Sequence, residues 1–144
     1  MKSVNETSLR DLYKTAHMAL ASIDNVSKET QDVKMKEELA REYEGYEQVI
    51  GKLAQEMLSR EIQPKEPNVL KKAMLWSSIK MNTLTDDSKS HIAEMMIQGT
   101  TMGLTEVMTL MSENGEIMDK PIKELAEELK SLMDGYVEEL KKYL

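Results

Sequence analysis

The stretch from His91 to Met111, HIAEMMIQGTTMGLTEVMTLM, decides how this chain is read. It holds His91 and Glu94 three positions apart, five methionines (Met95, Met96, Met102, Met108 and Met111), and Gly99 and Gly103 four positions apart. Placed at ~100° per residue, Ile92, Ala93, Met96, Ile97, Gly103, Leu104, Val107, Met108 and Met111 share one wide apolar arc. His91, Glu94, Gln98, Thr101, Thr105 and Thr109 form the opposite side, with Met95 and Met102 among them. A helix apolar over so wide an arc is central in a bundle or covered on two sides. The glycine pair sacrifices helix propensity, about 1 kcal/mol for each, and close packing of a neighbouring helix is the expected return; room for a ligand is the other reading.

Outward from this stretch the helical period continues, broken by only six glycines and three prolines, and no run alternates as a strand would. The pattern predicts five helices, at about 8–27, 32–61, 69–81, 86–113 and 120–143. Ser8 reads as the first N-cap, with Asp11 three positions on, and Leu9, Leu12, Ala16, Ala19, Leu20, Ile23 and Val26 as the apolar face. The second helix starts at Asp32, carries Met35, Leu39, Tyr43, Tyr46, Ile50, Leu53 and Met57 inward, and stops before the breaker QPKEPN around Pro64. Thr85, Asp86 and Asp87 offer a cap and an acidic first turn to the helix holding the quoted stretch. The last helix has Pro121 in its first turn and points Ile122, Leu125, Leu129, Leu132, Tyr136 and Leu140 inward. Short turns make the first pair and the last pair of long helices antiparallel. The long connection through residues 69–81 is a crossover, and the expected architecture is an all-α, antiparallel four-helix bundle with one long crossover containing a short extra helix.

Composition bounds the function. The chain has 144 residues, enough for one domain with a core. With 26 acidic against 19 basic residues its net charge is -7, which disfavours nucleic acid and anionic membranes as partners. There are no cysteines, so disulfides, thiolate metal sites and cysteine nucleophiles are excluded. The opening MKSVNETSLRDLYK has no apolar h-region, and no apolar run reaches the ~20 residues of a spanning helix, which gives the cytoplasm as the expected location. Thirteen methionines and no phenylalanine predict a core filled by Leu, Ile, Ala and adaptable Met.

The segments SLRDLYKTAHMALASIDNV, KEELAREYEGYEQVIGKL and LTDDSKSHIAEMMIQGTTMGLTEVMTLM resemble a group of Gram-positive bacterial proteins that has no established activity and looks ferritin-like. The resemblance covers most of the chain and implies a ferritin-like bundle, and hence a test for a di-iron centre. Such a centre takes a Glu from each of two helices and a Glu-x-x-His pair from each of the other two. The chain has only His17 and His91. His17 falls beyond the edge of its apolar arc, and His91-x-x-Glu94 is the motif in reverse. Glu42 lies nearest the inward arc of the second helix, but Gly45 follows where a histidine would stand. The last helix has no histidine, and Glu124, Glu127, Glu128, Glu138 and Glu139 sit mostly off its inward stripe.

The expectation is therefore a non-catalytic binding or interaction module without a di-iron site or other cofactor. It forms a dimer or larger homo-oligomer, with Met95 and Met102 either at a partner surface or beneath the crossover residues Val69, Leu70, Ala73, Met74, Trp76 and Ile79. The alternative is an iron- or zinc-binding protein with a displaced site on His91 and Glu94, aided by Glu42 or His17. An enzyme with a pocket inside the bundle is the third class. Tyr43, Tyr46 and Tyr136, on or near inward positions, are expected to form a polar layer with Glu42 or a threonine of the quoted stretch.

Overall fold

A computed structural model describes residues 3–65 and 88–144. Four long helices account for nearly all of them: α1 (Val4–Ser27), α2 (Val33–Ser59), α3 (Lys89–Asn114) and α4 (Lys120–Lys141), with no strand among the described residues. The protein is an all-α four-helix bundle. The expected short helix at 69–81, with Trp76 and its apolar neighbours, lies outside the described residues, as do Thr85, Asp86 and Asp87.

Three of the four helices start where a side chain satisfies one of the first free amides. Ser3, not Ser8, caps α1: its Oγ accepts from the Glu6 amide at 3.0 Å. Ser8 instead lies inside the helix and is fully buried. Asp32 caps α2 through the Met35 amide at 2.8 Å, as its position predicts. Ser88 caps α3 through the His91 amide at 3.3 Å. Asp119 precedes α4 without a side-chain cap bond, because its carboxylate faces Arg60 at 2.8 Å instead. At the end of α2, Glu61 turns the chain with φ 61°, and the Ile62 amide reaches back to the Met57 carbonyl at 2.9 Å. Buried Ile62 anchors that turn against the core.

Contacts along the helices fix their directions. Arg10 near the start of α1 reaches the Gln63 carbonyl just past α2, at 3.4 Å. Lys52 of α2 pairs with Glu128 of α4 at 2.6 Å, and Tyr143 after α4 donates to the Lys34 carbonyl at the start of α2, at 3.1 Å. Thr15 of α1 meets Glu106 of α3. The α1/α2, α3/α4, α2/α4 and α1/α3 neighbours are thus antiparallel, which leaves the consecutive helices α2 and α3 parallel. No tight turn can join such a pair.

The core runs the length of the bundle: Leu9, Leu12, Ala16 and Ile23 of α1, Met35, Leu39, Leu53 and Met57 of α2, Ile92, Ala93 and Val107 of α3, and Ile122, Leu129, Met133 and Leu140 of α4. Burial of each large aliphatic side chain contributes about 1.5–3 kcal/mol. The quoted stretch differs from its projection at Met108 and buries two residues that the projection left unassigned. Met108 is 48% exposed although it falls in the apolar arc, while Thr100 and Leu110 are buried. The inward stripe of α3 is narrower than the apolar arc, so part of that arc faces outward.

Candidate functional site

Two features stand out, and one residue belongs to both. The first is a polar layer between α2 and α4. Glu38, Glu42 and Tyr46 follow one another at four-residue spacing, so they stack on the inward face of α2. Glu38 is clamped by Arg41, whose Nη2 donates to both carboxylate oxygens at 2.7 Å while Nε adds a bond at 3.2 Å. The Arg41 guanidinium also lies 5.6 Å from the centre of the Tyr136 ring on α4. Tyr46 and Tyr136 meet edge to face at 5.3 Å.

Glu42 lies between these groups with 0% exposure, and neither of its oxygens has a hydrogen-bond partner among the described residues. Burial pushes its pKa up to about 10; the neighbouring Glu38 carboxylate and Glu139 act in the same direction and Arg41 opposes them. That direction favours the neutral carboxylic acid at neutral pH. Burial, and then Glu42, push the Tyr136 hydroxyl up to about 12, and the Tyr46 hydroxyl rises for the same two reasons. Gly45 makes room for this layer: a Cβ there would overlap the Tyr136 hydroxyl.

The second feature is a groove of about 480 Å³ between α1 and α3. Methionines dominate its walls: Met18 from α1, Met95, Met96 and Met102 from α3, and Met133 from α4. The two glycines of the quoted stretch, which also line it, do different things. A Cβ on Gly103 would come within 2.6 Å of Met133 Cε and 3.4 Å of Thr15 Cγ2, so that glycine permits close packing. A Cβ on Gly99 would meet nothing within 4 Å among the described residues, so it leaves the groove open. At the rim Thr15 Oγ1 donates to Glu106 Oε2 at 3.1 Å, and Lys14 stands beside Asp11 one turn earlier. The Tyr46 side chain, 1% exposed, also lines the groove. Its hydroxyl lies beside Thr100 without completing a well-formed hydrogen bond.

The four candidate metal ligands do not converge. Glu42 is sealed in the α2/α4 layer. His91 is half-buried in the first turn of α3, and Glu94 is exposed. His17 is buried, not flanking as its projection suggests, and its ring packs edge to face on Tyr13 at 4.5 Å. Among the described residues no group of three or more His, Cys, Asp or Glu is placed to hold a metal ion. Among them, too, no helix is long and apolar enough to cross a membrane.

Of the expected polar layer, Tyr46 and Tyr136 do gather beside Glu42, but neither Glu42 nor the Tyr46 hydroxyl makes a well-formed hydrogen bond among the described residues, and Tyr43 is only half-buried. Sequence reasoning missed Glu38 as a buried member; its signal was the four-residue spacing to Glu42 with Arg41 three positions away. The groove was not foreseen as such, although the glycine pair and the surplus methionines are what line it. No protein-family model, curated protein or solved structure matches this chain.

Proposed function

We propose that the protein is a non-catalytic binding module, a ferritin-like bundle without a di-iron centre, that takes up small apolar molecules in the α1/α3 groove. The groove itself carries this reading: about 480 Å³ falls within the usual range of small-molecule sites, and its walls combine apolar area with a few polar groups. Methionine side chains adapt to differently shaped ligands. The parallel α2/α3 pair supports the ferritin-like assignment, since that fold needs one long connection. The alternative, a metal site on His91 and Glu94, needs a third ligand that no described residue supplies.

The test is titration with an uncharged solvatochromic dye, read by its emission shift, on the wild type and on Gly99→Phe. A Cβ at Gly99 meets no described neighbour within 4 Å, so the phenylalanine starts from open space on a residue that lines the groove. Saturable one-to-one binding that weakens about tenfold or more in Gly99→Phe is expected. Absence of binding, or equal binding by both, overturns the reading. Sedimentation run alongside decides against a second copy as the occupant: a wild-type dimer that Gly99→Phe converts to monomer would make the groove a self-association surface instead.

A further inference from the structure

The groove has one polar feature that its apolar walls do not explain. The Tyr46 side chain lines the groove, and its hydroxyl is buried beside Thr100 without a well-formed hydrogen bond among the described residues. A buried hydroxyl without a partner is costly, and natural cores rarely keep one. Phenylalanine would fill the same volume without that cost. Resting on the proposed role of the groove, we infer that its ligand is an uncharged, mostly apolar small molecule carrying one hydrogen-bonding oxygen, which it presents to the Tyr46 hydroxyl.

The charge pattern of the lining selects the uncharged class. Among the described residues Lys14 and Glu106 are the only charged side chains along the groove, and both sit on exposed positions. Each already has a neighbour: Lys14 stands beside Asp11, and Glu106 accepts from Thr15. They cancel in sign and leave neither an anion nor a cation a free counter-charge. Deeper in, a charged head group would be stripped of water among methionines, Ala19, Ile23 and Val26. Glu42 stands one helical turn behind Tyr46 but does not line the groove, so it offers no ion pair to a ligand cation. A hydroxyl or carbonyl oxygen meets the site without these costs. Thr100, beside Tyr46 on the same lining, offers that oxygen a second polar neighbour.

Four compounds with one shared ring system separate the possibilities: naphthalene, naphthol, the anion naphthoate and the cation naphthylmethylammonium. Each is titrated against the wild type and Tyr46→Phe by calorimetry or intrinsic ligand fluorescence. Naphthol should bind the wild type about three- to tenfold more tightly than naphthalene, as one net hydrogen bond provides, and both ions should bind more weakly. Tyr46→Phe should erase the naphthol advantage while leaving naphthalene affinity unchanged. Its thermal unfolding, unchanged or at higher temperature, confirms that the variant folds. If naphthalene and naphthol bind the wild type alike, if Tyr46→Phe keeps the preference, or if an ion binds best, the inference about ligand chemistry fails while the groove reading stands. If none of the four binds, the groove reading fails, and the inference with it.

Discussion

Replacing Glu42 by glutamine is expected to stabilise the protein at neutral pH and to remove a pH dependence that the wild type carries. The side chain is fully buried without a well-formed hydrogen bond among the described residues, and its pKa is raised from 4.5 to about 10. The folded state therefore holds a proton that the unfolded chain releases above its ordinary glutamate pKa. A raised folded pKa contributes stability that is fully present below about pH 4.5 and is lost as pH rises toward about 10. Each unit in that window costs about 1.4 kcal/mol, so by pH 7, about 2.5 units above the ordinary value, the loss is about 3 kcal/mol. Glutamine keeps the shape and has no proton to lose. Urea denaturation followed by circular dichroism at about pH 5, 6, 7 and 8 measures the difference between the two proteins. Glu42→Gln should be nearly neutral at the acid end and gain about 1.4 kcal/mol per unit thereafter. Taking the difference cancels the titration of every other group that the substitution leaves undisturbed. A difference independent of pH would refute the reasoning, because it would mean that Glu42 ionises in the folded protein as it does in the unfolded chain.

Three further substitutions test the geometry of the layer and the groove. Gly45→Ala should destabilise by about 1–3 kcal/mol despite better helix propensity, because its Cβ overlaps the Tyr136 hydroxyl; adding Tyr136→Phe should recover part of that loss in a double-mutant cycle read by urea denaturation. Gly99→Ala should raise stability by about 1 kcal/mol in the same assay, since its Cβ enters open space and the helix gains a better former. Arg41→Gln should cost about 1–2 kcal/mol, a value discounted for the exposure of the arginine, because Glu38 loses its bidentate partner while staying buried.

The helices were legible because the 3.6-residue period depends on each segment alone. Leu39, Leu53 and Met57 of α2 and Ile122, Leu129 and Leu140 of α4 stand inward where the pattern puts them. Helix starts were less legible, since two serines with acids three positions on compete at the N-terminus. Ser3 with Glu6 outcompetes Ser8 with Asp11 because the earlier start adds a turn that places Ser8 and Leu9 in the core. Glu38 escaped notice because a charged residue on a helix reads as a solvated face unless its partner is known; here Arg41 reaches over from the exposed side. The groove was beyond a one-helix projection. Gly99 and Gly103, four residues apart, differ by ~40° in direction, and that offset sends one glycine against Met133 and the other into open space. Only the placement of α1 beside α3 shows which does which.

The polar layer and the groove share Tyr46, and under the proposed binding role that sharing accounts for a layer left under-satisfied. A bundle selected for stability alone would fill these positions with apolar residues, since an incomplete buried polar network is worse than none. Among the described residues neither Glu42 nor the Tyr46 hydroxyl makes a well-formed hydrogen bond, and both lie on one face of α2, a single turn apart. Tyr136 braces Tyr46 from α4, Arg41 braces Tyr136, and Gly45 removes the atom that would push Tyr136 aside. The layer thus fixes the Tyr46 ring from behind while its hydroxyl stays uncommitted beside the groove. Local violations of good packing that converge on a cavity are where binding chemistry is expected, because the stability given up there is returned when the ligand arrives. On this account a bound ligand that satisfies Tyr46 raises the unfolding temperature of the wild type more than that of Tyr46→Phe, and the excess belongs to the hydroxyl alone.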